Sequence, residues 1–165
     1  MPDEFADYPE VVPAGSGFSH IAGRDFHKVE NAFWLKEPGP LPAAPLASIE
    51  GSEGRFAIYE RAAAAASALP AGAEAGPVYA LVPGGPFYVP TGCAFVRLRD
   101  GVSPRSHRDR LREAGFEIAR TQGQGAWLRP VSGRVADGLN RLPRLADDPD
   151  VVSVEPQMLT QRAHR

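Results

Sequence analysis

From Cys93 onward the hydrophobic period changes between two and 3.6 in a fixed order, and that order leaves few folds open. Cys93 to Arg99 alternates, with Ala94, Val96 and Leu98 on one side and Phe95, Arg97 and Arg99 on the other. Asp100-Gly101 ends this strand. Ser103-Pro104 then supplies a helix N-cap and a first-turn proline. His107, Leu111 and Ala114 recur at i, i+4 and i+7 as one narrow apolar face, and Gly115 closes the helix. Phe116 to Arg120 reads as a strand, Gly123-Gln124-Gly125 as a turn, and Ala126 to Val131 as the returning strand. Ser132 is placed to cap a second helix with the stripe Val135, Leu139, Leu142 and Ala146. Pro143 should kink or shorten it. Asp147-Asp148-Pro149-Asp150 breaks the pattern, Val151 to Val154 is a last strand, and Pro156 stops it. The order β-α-β-β-α-β predicts an α+β protein with a ferredoxin-like sandwich in its C-terminal half. Right-handed crossovers put both helices on one sheet face and leave the other uncovered.

The first half is less regular. Residues 1–77 hold 11 acidic and 5 basic residues, residues 78–165 hold 9 and 13. Leu, Ile, Val and Phe fill 15 of the first 77 positions and 22 of the remaining 88, which favours the second half for a packed core. Short strands are expected at Val29–Leu35 and Phe56–Tyr59, an Ala-rich helix over Arg61–Leu69, and a linker over Ala71–Pro77. Val78–Val82 and Phe87–Val89 flank Pro83-Gly84-Gly85-Pro86 as a hairpin. The expected organisation is an irregular, partly ordered N-terminal extension over 1–77 and a compact module over 78–165.

The net charge of −2 gives no general attraction to nucleic acid or an anionic membrane. The single cysteine, Cys93, permits no internal disulfide. There is no apolar run of about 18 residues. The acidic start Met1–Glu10 is unlike a secretory leader. These features predict a cytoplasmic protein.

Three stretches carry a family resemblance. Val89-Pro-Thr-Gly-Cys-Ala-Phe-Val-Arg-Leu-Arg-Asp-Gly-Val102 resembles the first strand of the prodomains of bacterial subtilisin-like serine proteases. His107–Ile118 is similar to their helix-glycine-strand, and Asp148-Pro-Asp-Val-Val-Ser-Val-Glu-Pro-Gln157 resembles the way they end. The similarity covers about 78–160. The catalytic signatures Asp-Thr/Ser-Gly, His-Gly-Thr and Gly-Thr-Ser-x-Ala do not occur in this sequence. The resemblance therefore implies a propeptide-type inhibitor or folding chaperone without its protease, and no enzyme activity of its own. In that family the open sheet face packs on the protease, and the segment after the last strand lies in the active-site cleft like a product.

On these grounds the partner-binding face should carry Phe95, Arg97, Arg99, Trp127 and Arg129, since aromatic residues and Arg are the types enriched at protein interfaces. Residues 1–77 folding back over that face is the competing arrangement. Glu155 and Pro156 sit where a carboxylate could meet helix N-termini of a partner. The tail Leu159, Thr160, Gln161, Arg162, Ala163, His164 and Arg165 can span about 23–25 Å when extended, enough to enter a cleft.

Other chemistries find less support. His20, His27, His107 and His164 show no metal-ligand spacing, and His107 reads as a packed or half-exposed helix residue rather than a catalytic one. Cys93 lacks the neighbours of a nucleophile. Asp147, Asp148 and Asp150 read as a solvated helix stop rather than a calcium loop. No cofactor or metal is expected. Gly92–Leu98 only partly matches an RNA-binding signature, with Thr91, Cys93 and Leu98 departing from it and the match on the wrong strand. A non-catalytic interaction module is the main alternative, ahead of an RNA- or small-molecule-binding domain.

Overall fold

The computed structural model describes residues 5–15, 24–36, 44–51, 53–62, 69 and 72–161. Among these are nine strands and two α-helices that are described from end to end. They run in the order β1 (Val11–Pro13), β2 (Asp25–Lys36), β3 (Ala47–Gly51), β4 (Gly54–Glu60), β5 (Ala75–Ala80), β6 (Tyr88–Leu98), α1 (Arg108–Glu113), β7 (Phe116–Gln122), β8 (Gly125–Pro130), α2 (Val135–Ala146) and β9 (Val151–Thr160). The strands pair mostly antiparallel, and with two short helices the protein is α+β. The chain divides into two compact units. One comprises Met1–Ala6, His27–Val89 and Met158–Arg165, the other Asp7–Phe26 and Pro90–Gln157. No helix among the described residues is long and apolar enough to cross a membrane.

In the second unit the strands lie side by side in the order β9, β6, β8, β7. Ala94, Val96, Leu98, Phe116, Ala126 and Leu128 are buried on one face, where α1 packs against β7 and α2 against β8. The helix starts differ in detail from the sequence reading. Ser103 Oγ does accept the Ser106 amide at 3.2 Å, but the chain first makes a 3-10 turn, Arg105–His107, before α1. Ser132 is not the cap of α2. Arg134 occupies that position in extended conformation, and Ser132 Oγ accepts the Arg134 amide at 3.2 Å from two residues upstream. Pro143 lies inside α2 and the helix continues to Ala146. Its buried stripe is Ala136, Gly138, Leu139, Leu142 and Leu145, while Val135 is half-buried and Ala146 exposed.

Two glycines set how closely α2 approaches β6. A Cβ on Gly138 would lie 2.1 Å from the Gly92 carbonyl oxygen, and one on Gly92 would lie 2.8 Å from Val135 Cα. Gly92 also holds φ at +82°, a left-handed value that glycine adopts without strain. Backbone therefore rests directly on backbone, with no side chain between.

The first unit contains β3, β4, β2 and β5 as neighbours in that order. Ala32, Trp34, Ile49, Phe56, Ile58, Val78 and Val89 form its core, with Val29, Ala47, Phe87 and Leu159 packed against it. Trp34 meets Phe56 edge-on at 5.4 Å between ring centroids, and Phe33 stacks on Tyr59 at 5.9 Å. A Cβ on Gly76 would come within 2.6 Å of the Trp34 indole, so the ring lies flat on bare backbone. Residues read from sequence as an irregular extension thus hold four strands. Phe56–Tyr59 is buried without alternation, the pattern of a strand covered on both faces. A few large aromatic rings supply the area that a low aliphatic count understates. Of the expected helix over Arg61–Leu69 only Arg61, Ala62 and Leu69 are described, the first two of them helical. The expected linker over Ala71–Pro77 is instead partly strand: β5 begins at Ala75, and Ala75, Gly76 and Pro77 pair with Leu35, Trp34 and Phe33 of β2, because the edge of β2 offers them a hydrogen-bonding partner that turn-rich composition does not reveal.

Candidate functional site: the open sheet face

The pleat turns Phe95 and Arg97 of β6 away from the helices, and register pairs Phe95 with Trp127 of β8. The two rings meet at 5.0 Å between centroids with a 56° tilt, both half-buried. Arg97 is exposed and stands opposite Gly125. A Cβ on Gly125 would lie 2.4 Å from Phe95 Cζ, so the ring occupies the space a side chain would take. Phe95, Arg97, Trp127 and Glu155, with the turn Gln122–Gly125, line a cleft of about 480 Å³.

β7 contributes residues that strict alternation places on the other face. Phe116 and Ile118 pair with Pro130 and Leu128, but the register shifts between Ile118 and Arg120, and Arg120 pairs with Trp127. This bulge admits one extra residue and flips the rest of the strand. Arg120 thereby brings its guanidinium to 6.0 Å from the Trp127 ring centroid, and Gln122 Oε1 accepts the indole N–H at 3.3 Å. No local pattern in Phe116–Gln122 announces the bulge.

The remaining site residues are placed less uniformly. Arg129 donates from Nε to Glu117 Oε1 at 2.6 Å. Arg99 lies just beyond β6 and is paired with Asp150. Glu155 and Pro156 are consecutive in β9, so the pleat sends them to opposite faces. Glu155 lines the aromatic cleft, whereas Pro156 lines a second cleft of about 530 Å³ with Leu142, Pro143, Val152 and Val154. Glu155 Oε1 is buried and has no hydrogen-bond partner among the described residues. Leu159 and Thr160 end β9. Leu159 packs on the core of the first unit, Thr160 Oγ1 donates to Phe87 O at 3.2 Å, and Gln161 Nε2 donates to Ser48 O at 3.3 Å. Arg162, Ala163, His164 and Arg165 lie outside the described residues.

A second polar constellation lies at the start of α1. His107 is buried, with Nε2 at 2.5 Å from Asp148 Oδ2 and Nδ1 at 3.8 Å from Asp150 Oδ2. Arg110 Nη1 approaches both carboxylates at 3.8 Å, and the Asp150 amide donates to Asp148 Oδ1 at 2.9 Å. Burial pushes the Asp148 carboxyl up, but the Asp150 amide, His107 and Arg110 outweigh it and hold the group below its ordinary value. The acidic loop read from sequence as a solvated helix stop is thus partly buried and paired. The ligating atoms of His107, Asp148 and Asp150 lie within 4.8 Å of one another. The two ring nitrogens nevertheless face different carboxylates, and Arg99 and Arg110 already neutralise both acids. The geometry is that of an ion-pair clasp joining α1 to the loop before β9.

No family model, curated protein or solved structure matches this chain.

Proposed function

We propose that this chain is a non-catalytic docking protein whose second unit is a ferredoxin-like βαββαβ sandwich. In this reading its open sheet face binds a separately encoded subtilisin-like serine protease, as inhibitor or folding chaperone. The observation that carries the reading is the Phe95–Trp127 pair, two large rings held half-exposed on neighbouring strands beside a cleft. Rigid aromatic residues flanked by Arg are the usual anchors of a protein interface. The strand order β9, β6, β8, β7 supports the ferredoxin-like assignment, and the prodomain-like motifs at Val89–Val102 and Asp148–Gln157 support the partner class. The face carries this reading rather than the tail, because Leu159, Thr160 and Gln161 are engaged within the first unit.

The test is a titration of purified subtilisin-like proteases with the full chain, read as binding and as inhibition of peptide hydrolysis. Saturable binding is expected, and Trp127→Ala should weaken it by about 2–4 kcal/mol. The substitution should lower the melting temperature by no more than a few degrees, since the indole is half-buried and outside the buried core. Binding that is unchanged in the variant would remove the face from the mechanism. No binding to any subtilisin-like protease would remove the partner class.

A further inference from the structure

The charges on the open face fall into two groups. Arg129 is neutralised by Glu117 and Arg99 by Asp150, each within the face or at its edge. Arg97 and Arg120 are exposed and make no ion pair among the described residues, yet they stand on either side of the aromatic pair. Arg120 is held over the Trp127 ring, which limits its freedom before any partner arrives. All 13 cations of residues 78–165 are arginines, and the only lysines in the chain are Lys28 and Lys36. A guanidinium is weakly hydrated and forks onto a carboxylate with two parallel hydrogen bonds, so it suits an ion pair that must be desolvated.

From this arrangement we infer that the face accepts an acidic segment of the partner, an apolar or aromatic side chain seated in the cleft against Phe95 and Trp127, with carboxylates on Arg97, which lines the cleft, and on Arg120, which lies beside it over the Trp127 ring. The inference rests on the open face being a docking surface and adds the chemistry of what docks there. A phosphodiester strand fits less well. On this face only Arg97 and Arg120 are without an ion pair among the described residues, and the chain as a whole is net negative. Nucleic-acid affinity depends on many phosphate contacts, which two cations do not supply.

The experiment is a selection of randomised displayed peptides on the immobilised full chain, repeated on Arg97→Glu/Arg120→Glu and on Trp127→Ala. The selected peptides should be enriched in Asp and Glu next to Phe, Tyr, Trp or Leu. A synthetic peptide of the consensus should bind at least about 30-fold more weakly to the double charge reversal, about half that loss on a logarithmic scale coming from each arginine. Its affinity should also fall with added salt. Peptides free of acidic residues, or acidic peptides that bind the double arginine variant as tightly as the wild type, would overturn the inference. So would a deoxythymidine dodecamer that binds more tightly than the peptide with the same arginine dependence. These outcomes are separable from failure of the functional reading. A protease held in a Trp127-dependent, arginine-independent way would leave docking intact and refute the acidic partner. Acidic peptides selected in the absence of protease binding would do the reverse.

Discussion

Replacing Gly138 by alanine should destabilise the second unit by about 3 kcal/mol. Helix propensity argues the other way, since alanine in a helix interior is better than glycine by about 1 kcal/mol. The contact decides the sign. A Cβ at Gly138 would stand 2.1 Å from the Gly92 carbonyl oxygen, which is backbone and cannot swing aside as a side-chain tip can. Relief requires α2 to lift from β6, which would open the packing of Leu139 and Leu142 along the whole stripe. The control is Arg144→Ala, an exposed position of the same helix, which should change stability by less than about 0.5 kcal/mol. Urea unfolding of the two variants measures both. A neutral or stabilised Gly138→Ala would mean that α2 does not sit on bare backbone.

The second large effect is expected at the clasp. His107→Ala should cost about 2–4 kcal/mol, because it opens a cavity and leaves the Asp148 and Asp150 carboxylates without their buried partner. Asp148→Asn tests the charge separately. The folded-state carboxyl of Asp148 is held below its ordinary value of 3.8, so its ionised form favours the folded protein. That contribution is fully present above the unfolded value and is lost as pH falls through the lower folded one. The stability gap between wild type and Asp148→Asn should therefore be widest above about pH 5 and close on acidification below 3.8. A gap independent of pH from 7 to 2.5 would show that the ion pair contributes nothing measurable. Thermal unfolding across that range, followed by circular dichroism, gives the answer.

Both effects fall on residues that look ordinary in the sequence. Gly138 reads as a weak point in an amphipathic helix, and nothing local ties it to Gly92, 46 positions earlier. His107 is visible as a member of the apolar face of its helix, and that much agrees with its burial. The two aspartates that hold it are some 40 residues away, in a loop whose composition suggests only a solvated break. Long-range pairs of this kind have no periodic signature, because their partners are set by how elements stack.

Within the second unit, the element order and the two-sidedness of β6 and β8 are local properties. Alternation places Ala94, Val96 and Leu98 against the helices and Phe95 and Arg97 opposite them, since burial of one face penalises every other register. Glycine at 115, with φ of +99°, ends the first helical segment as the sequence implies. The first half was less readable, because its core depends on rings brought together across strands rather than on a repeating aliphatic pattern.

Residue pattern alone specifies the succession of strands and helices from Cys93 onward, the buried faces of β6 and β8, and the aromatic and arginine content of the face left open. Those follow from backbone periodicity and from the cost of burying a polar residue, both of which act within a few positions. Tertiary structure alone decided the bulge that carries Arg120 onto Trp127, the parting of Glu155 from Pro156, the engagement of Leu159 in a core, and the seat of α2 on Gly92. Each of these depends on which backbone lies alongside which, and side-chain period carries no information about that distance.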